Sequence, residues 1–241
     1  MFRHKGKTRT FKHNLRLAAL LSFIAGLVNI AGVLWLKVLT TNVTGHFAFF
    51  AEELVLKHYV VALSFLLFIF AFLIGSFTAN FIIEYFVGKG EQSAHKYPML
   101  LEIGLLFLVG VGGNYFLANG CEPTILACVL LFSMGVQNSL VTQISSSTVR
   151  TTHLTGLFTD LGIELSQLFF YKKEDQKERL KKSIELRIAI IVFFFLGCVI
   201  GGFLFSTISL GILVIASALL AVALIYDVLL YKYYKLIRRK K

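Results

Sequence analysis

Runs of about 20 apolar residues recur along the whole chain, and they leave few folds open. A helix of that length covers roughly 30 Å of bilayer hydrocarbon. In lipid the backbone must satisfy its own hydrogen bonds, so a helix is the natural form for each run. The apolar residues are continuous rather than alternating, which argues against a membrane β-barrel. The hydrophobic share is 57%, the mean hydropathy is +0.78 and only two prolines occur. Soluble domains carry a lower apolar share, about 45–50%. The expected fold is therefore all-α: a polytopic transmembrane helical bundle forming one membrane domain over residues 1–241.

Six segments read as spans: Leu15–Val38, Tyr59–Phe86, Pro98–Leu117, Pro123–Ile144, Arg187–Thr207 and Ser209–Tyr231. The net charge is +11, and its distribution is uneven. Of 24 Lys and Arg, six fall in Met1–Arg16, seven in the Lys172–Arg187 loop and six in Lys232–Lys241. Basic residues gathered at span ends follow the positive-inside pattern and suit anionic lipid head groups better than nucleic acid. The short connections "ANGCE" (118–122) and "STIS" (206–209) carry no Lys or Arg and belong outside. Six crossings from a cytoplasmic N-terminus then place both termini and the Lys172–Arg187 loop in the cytoplasm. Eight crossings are the competing topology, with Thr40–Leu56 and Thr151–Phe170 spanning as well. The three cysteines (121, 128, 198) show no metal-ligand spacing, so no metal or cofactor is implied.

The chain also repeats itself. "TTNVTGHFAFFAEEL" (Thr40–Leu54) and "TTHLTGLFTDLGIEL" (Thr151–Leu165) share seven of fifteen positions. Upstream, "SFIAGLVN" (22–29) matches "LFSMGVQN" (131–138). Downstream, "FLIGSF" (72–77) matches "CVIGGF" (198–203). A unit of span, polar segment, span, span thus occurs twice, over 15–117 and 123–231, between basic tails at 1–14 and 232–241. Three spans is an odd number, so the second copy enters from the opposite side. That is the inverted repeat of many secondary transporters, whose sites lie at the repeat interface on broken helices.

The set "AGLVNIAG", "MGVQNSL" and "VRTTHLTGLFTDLG" resembles the YoaK-type family of bacterial membrane proteins, the domain of unknown function numbered 1275. The likeness covers most of the chain, and residues 134–162 carry its most specific part. The family pattern has an acid where this chain has Asn29, and "TGN" where it has "TGH" with His46. The resemblance implies an integral protein of the bacterial inner membrane and points to small-molecule transport, with no substrate fixed.

The candidate substrate-binding residues are Asn29, Thr44, Gly45, Asn138, Thr155 and Gly156. Threonine can cap a broken helix and glycine can bend it, and exposed N-terminal amides suit an anion. Equally, any broken helix in lipid needs such a device for its own backbone. Amides within a span find partners across helices or line a polar path. Glu53, Asp160 and Glu164 are the candidates for proton or cation coupling, because charge inside a membrane is costly. Lys57 is placed to pair with Glu53 by i,i+4 spacing, whereas Glu164 has no such neighbour. Asn80, Glu84, Glu102 and Asp227 lie near span ends, where snorkelling or interfacial pairing is expected. His46 and His153 occupy non-equivalent repeat positions. "GCVIG" (197–201) fits a small-xxx-small contact, serving either internal packing or a homodimer.

No HExxH, GxSxG or Walker sequence occurs, so no enzyme is expected. A transporter of a small solute is the leading expectation, and a non-transporting scaffold or sensor is the alternative. Topology is open to direct measurement. Asp175→Cys, in a background without the native cysteines, should react with a membrane-impermeant maleimide only after permeabilisation. Labelling of intact cells would favour eight crossings.

Overall fold

The computed structural model describes residues 10–91 and 93–239, with side chains to residue 230. The basic residues before position 10 and the side chains of the Lys232–Lys241 cluster lie outside that range. Every described element is helical: α1 (Phe11–Ala31, prolonged by a π-helical turn at Gly32–Leu36), α2 (Val43–Val55), α3 (Tyr59–Gly88), α4 (Lys96–Ala118), α5 (Pro123–Ser145), α6 (Leu154–Phe170), α7 (Glu174–Ile208) and α8 (Ile212–Arg239). Pro123 opens α5, where its missing N–H is no loss.

Among the described residues, five helical stretches are long and apolar enough to cross a bilayer: Phe11–Leu36, Tyr59–Gly88, Lys96–Ala118, Pro123–Ser145 and Glu174–Leu230. The last, 57 residues long, is broken at Ser209 (φ 50°, ψ −130°) into α7 and α8. The basic Lys172–Arg187 segment is not a loop, because from Glu174 onward it forms the first turns of α7.

α1 packs along α7, α3 along α5 and α4 along α8. Lipid is as apolar as the side chains, so contacts between spans depend on close packing rather than on escape from water. Glycine supplies that closeness at two crossings. A Cβ on Gly26 would stand 2.2 Å from the Phe194 carbonyl oxygen, and one on Gly197 2.2 Å from that of Phe23. A Cβ on Gly75 would stand 2.1 Å from the Phe132 oxygen, and one on Gly135 2.2 Å from that of Phe72. Each crossing adds one hydrogen bond. Ser76 Oγ donates to Gly135 O (3.1 Å), and Cys198 Sγ donates to Gly26 O (3.4 Å). By these contacts Gly75 corresponds to Gly197, one turn before the Gly201 that the sequence match paired with it. "GCVIG" therefore serves internal packing through Gly197.

The contacts also fix helix directions. Gly26 meets Gly197 and, further along both helices, Trp35 Nε1 donates to Ser209 Oγ (2.8 Å), so α1 and α7 run parallel. Gly75 meets Phe132, and further on Gln143 donates to Asn80, so α3 and α5 run parallel. His95 meets Asp227 while Gly113 meets Leu210, so α4 and α8 are antiparallel. Gln137 Nε2 donates to Leu21 O (2.7 Å), while Leu36 packs on the cluster of Ala127 and Leu131, so α1 and α5 are antiparallel. α1 and α5 form the centre, and Phe77, Phe81, Phe107, Phe195 and Phe203 on the outer helices face outward, as lipid contact requires.

Gly75→Ala should lower stability by about 1–3 kcal/mol through overpacking. An added Cβ at Gly104 or Gly162 would meet nothing within 4 Å, so alanine there should be neutral or mildly stabilising. Thermal unfolding in detergent reads the difference. Equal responses at all three positions would contradict the close crossings.

Candidate functional site

The two polar phrases each form a descent of chain followed by a short helix. α1 ends in its π turn at Lys37 (φ 57°), and α5 ends at Ser146 and Ser147 (φ 51° and 61°). These left-handed residues turn the chain, so the bend does not fall at the glycines of "TG". Gly45 lies in the first turn of α2, and its N–H is capped by Asn42 Oδ1 (3.0 Å). Thr44 is exposed and caps nothing. Thr155 is also exposed, inside the first turn of α6, and a Cβ on Gly156 would meet nothing within 4 Å. The assignment of Thr44 and Thr155 as helix caps is thus corrected. Asn42 caps α2, and His153 precedes α6 with no side-chain cap bond.

The threonines that work lie earlier in each phrase. Thr41 Oγ1 donates to Asn29 Oδ1 (3.0 Å), and Thr152 Oγ1 donates to Asn138 Oδ1 (2.7 Å). Their neighbours Thr40 and Thr151 are fully buried, with no partner for either hydroxyl among the described residues. Asn138 Nδ2 donates to Met134 O (2.8 Å). Asn29 and Asn138 therefore tie each polar segment to the C-terminal part of α1 and α5. α2 has 13 residues and α6 has 17. At 1.5 Å per residue they span about 20 and 25 Å, short of the hydrocarbon core.

α2 is held to α3 by aromatic packing. His46 is 1% exposed, its ring lies 5.9 Å from Phe65 and 5.3 Å from Phe68, and Phe49 lies 5.3 Å from Phe65. Leu39 O can only accept, so His46 Nε2 donates to it (2.7 Å) and carries the ring proton of the neutral form. Glu53 pairs with His58 Nδ1 at 2.9 Å rather than with Lys57, which adopts a left-handed conformation (φ 63°).

α6 is held to α7 by charge. Arg187 donates through Nε and Nη2 to Glu164 (2.8 and 3.0 Å), and its Nη1 reaches Asp160 Oδ2 at 2.9 Å. Ser183 Oγ adds a bond to Glu164 (2.6 Å). Glu164 thus has a counter-charge that helical spacing could not disclose, 23 residues away. The structure brings Asp160 and Glu164 together around one guanidinium and leaves Glu53 elsewhere.

Beside this network opens a cavity of about 490 Å³, between the start of α1, residues 146–153, α6 and α7. Its wall includes Arg150, Lys182, Arg187, Ser183, Asp160 and Gly156. Arg187 is matched by Asp160 and Glu164 and Lys182 by Glu178, which leaves Arg150 as the cation of the wall without an ion pair among the described residues. Among the described residues no trio of His, Cys, Asp or Glu is placed to hold a metal ion. The sequence placed Gly156 and Asp160 near a site but missed Arg150 and Arg187. Arg150 stands immediately before the second phrase as an isolated cation, and that was the available signal.

Of the polar residues near span ends, Glu102 stands differently from expectation, whereas Asp227 is paired. Glu102 does not snorkel: it is fully buried. Asp227 is 6% exposed and pairs with His95 at 3.5 Å.

The family described as "Protein of unknown function (DUF1275)" matches residues 17–226. The chain is similar to the UPF0700 transmembrane protein YoaK of Bacillus subtilis (strain 168), 28% identical over 190 residues that cover 76% of this chain and 80% of that protein. No solved structure matches the chain.

Arg187→Met should cost about 1.5–3 kcal/mol, because it strands two carboxylates whose hydrogen bonds were charge-assisted. Adding Asp160→Asn and Glu164→Gln to it should recover much of that loss, since the unpaired charges are then gone. Thermal unfolding and protease nicking between α6 and α7 would report both. A triple variant no better than Arg187→Met would contradict the ionic clamp.

Proposed function

The chain belongs to the DUF1275 family of transmembrane proteins, and from its geometry we propose that it is a secondary transporter of a small anionic solute in a bacterial inner membrane. The observation that carries this reading is the cavity with the unmatched Arg150 in its wall, built against a short helix too brief to span. Arg150 offers a planar donor fork suited to carboxylate or phosphate. The N-terminal turn of α6, with Gly156 in the cavity wall, contributes positive backbone dipole.

The architecture we propose is six crossings in two inverted halves, α1–α4 and α5–α8, with α2 and α6 re-entrant. Helix direction supports it. A crossing segment leaves its two flanking spans parallel, whereas a re-entrant one leaves them antiparallel. α1 is antiparallel to α5, and α5 is parallel to α3, so α1 and α3 oppose each other across α2. α7 follows α1 and so opposes α5 across α6. Matched contacts support the repeat: Thr41 on Asn29 with Thr152 on Asn138, and Ser76 on Gly135 with Cys198 on Gly26. Transport would then proceed by rocking the α1/α7 pair against the α3/α5 pair, exposing the Asn29 and Asn138 levels to each side in turn.

A scaffold or sensor without transport is the second reading, and the tight glycine crossings favour it, since they leave little room between paired spans. Ligand stabilisation separates the two. Purified protein screened against small carboxylates, phosphate and uncharged analogues should gain thermal stability with an anion. The same anion, isotopically labelled, should accumulate in proteoliposomes. Arg150→Gln should lose most of both effects while keeping its fold. Uptake no greater than in empty liposomes, with no ligand shift across the panel, would support the scaffold.

A further inference from the structure

Glu102 has no counterpart among the other membrane-embedded groups. It is 0% exposed, and neither carboxyl oxygen has a hydrogen-bond partner among the described residues. It shares the inward face of α4 with Met99, Leu106 and Val109, all fully buried. The other poorly exposed acids are matched: Glu164 by Arg187, Asp227 by His95 and Glu53 by His58. A lone ionised carboxylate in an apolar interior pays its full loss of hydration with nothing in return, whereas the neutral acid does not.

Polar atoms without partners gather at the same depth. Counted from the turn between α4 and α5, Glu102 and Gln137 each lie about four turns into their helix. Gln137 bonds Leu21 O through Nε2 and leaves Oε1 buried and unpaired, as are the hydroxyls of Ser22 and Ser133 on α1 and α5. These oxygens can accept from an acid O–H but supply no counter-charge to a carboxylate. His95 precedes Glu102 by two turns on the same face of α4, about 10 Å away. It is 3% exposed beside Asp227, at the end of the bundle where the basic residues gather. Among the residues with described side chains, the remaining titratable groups on the elements packed against α4 point away. Tyr226 of α8 and Glu84 and Tyr85 of α3 are exposed, and Cys128 of α5 packs against the Phe68 cluster.

We propose that Glu102 is a proton-binding site of the membrane interior, loaded by water from the basic end of the bundle. The O–H bond forms at Glu102 as an O–H bond of hydronium breaks, so one positive charge leaves the water and one negative charge disappears at Glu102. Release runs the same steps backward, or outward when the opposite side opens. The coupling role rests on the transport reading above; the protonation itself does not.

Infrared spectroscopy of the full-length protein in lipid at neutral pH reads the site directly. The wild type should show the carbonyl stretch of a protonated carboxylic acid, shifted on exchange into D2O, and Glu102→Gln should lose it. Should that variant not fold, Glu102→Asp serves instead, and should keep the band at a changed frequency. A wild-type spectrum without the band, or a band unchanged in the variant, overturns the proposal whether or not the protein moves solute. In proteoliposomes, anion uptake driven by a pH gradient should be lost in Glu102→Gln. A band present with no uptake in the wild type leaves Glu102 protonated and overturns the transport reading instead.

Discussion

Two crossings without side chains set the dimensions of this protein. Gly26 against Gly197, and Gly75 against Gly135, let backbone touch backbone, where any larger residue would hold the helices apart. Because lipid offers spans no hydrophobic reason to associate, contact of this closeness supplies the attraction. The remainder follows from it. Ser76 and Cys198 reach carbonyls on the neighbouring helix only at that distance. α1 and α5 become central, so the amides of Asn29 and Asn138 are enclosed rather than facing lipid, and the threonines of the descending segments are what satisfy them.

The spans were legible because apolar length is a one-dimensional signal. The repeated phrases were legible as short polar interruptions for the same reason. What could not be read depended on the third dimension. Gly197 and Gly201 lie one turn apart on nearly the same face, so sequence could not say which meets Gly26. The turns at Lys37 and Ser146 occupy left-handed backbone that favours glycine, and the chain places ordinary residues there. Thr44 and Thr155 have the right chemistry for caps, yet they fall after the first helical residue and not before it. Arg187 stands where a basic run meets the fifth apolar segment, and no residue near it in sequence marks its partner. Helix α7 carries it to Glu164 and Asp160. Glu102, near a span end, had the position of an interfacial acid, and only packing on several sides makes it an interior one.

The two halves differ most where their short helices dock. Phe65 lies ten residues before Gly75, and Arg187 ten before Gly197, so the two occupy like positions. Their partners, Phe49 and Asp160, also occupy like positions in the repeated phrase. A ring contact on one side is thus an ion pair on the other. The Phe49–Phe65 contact carries no charge and is indifferent to salt. The ionic clamp is partly exposed, weakens with ionic strength, and lies against the cavity. One short helix is therefore docked by packing, and the other by charges that salt screens.

The bond from Trp35 to Ser209 joins the end of α1 to the break between α7 and α8. Trp35 is the sole tryptophan of the chain. Indole emission depends on hydrogen bonding and on local polarity, so the protein carries an optical gauge at the joint between its first and last spans. Its fluorescence follows that joint without any label, in whichever lipid the protein is placed.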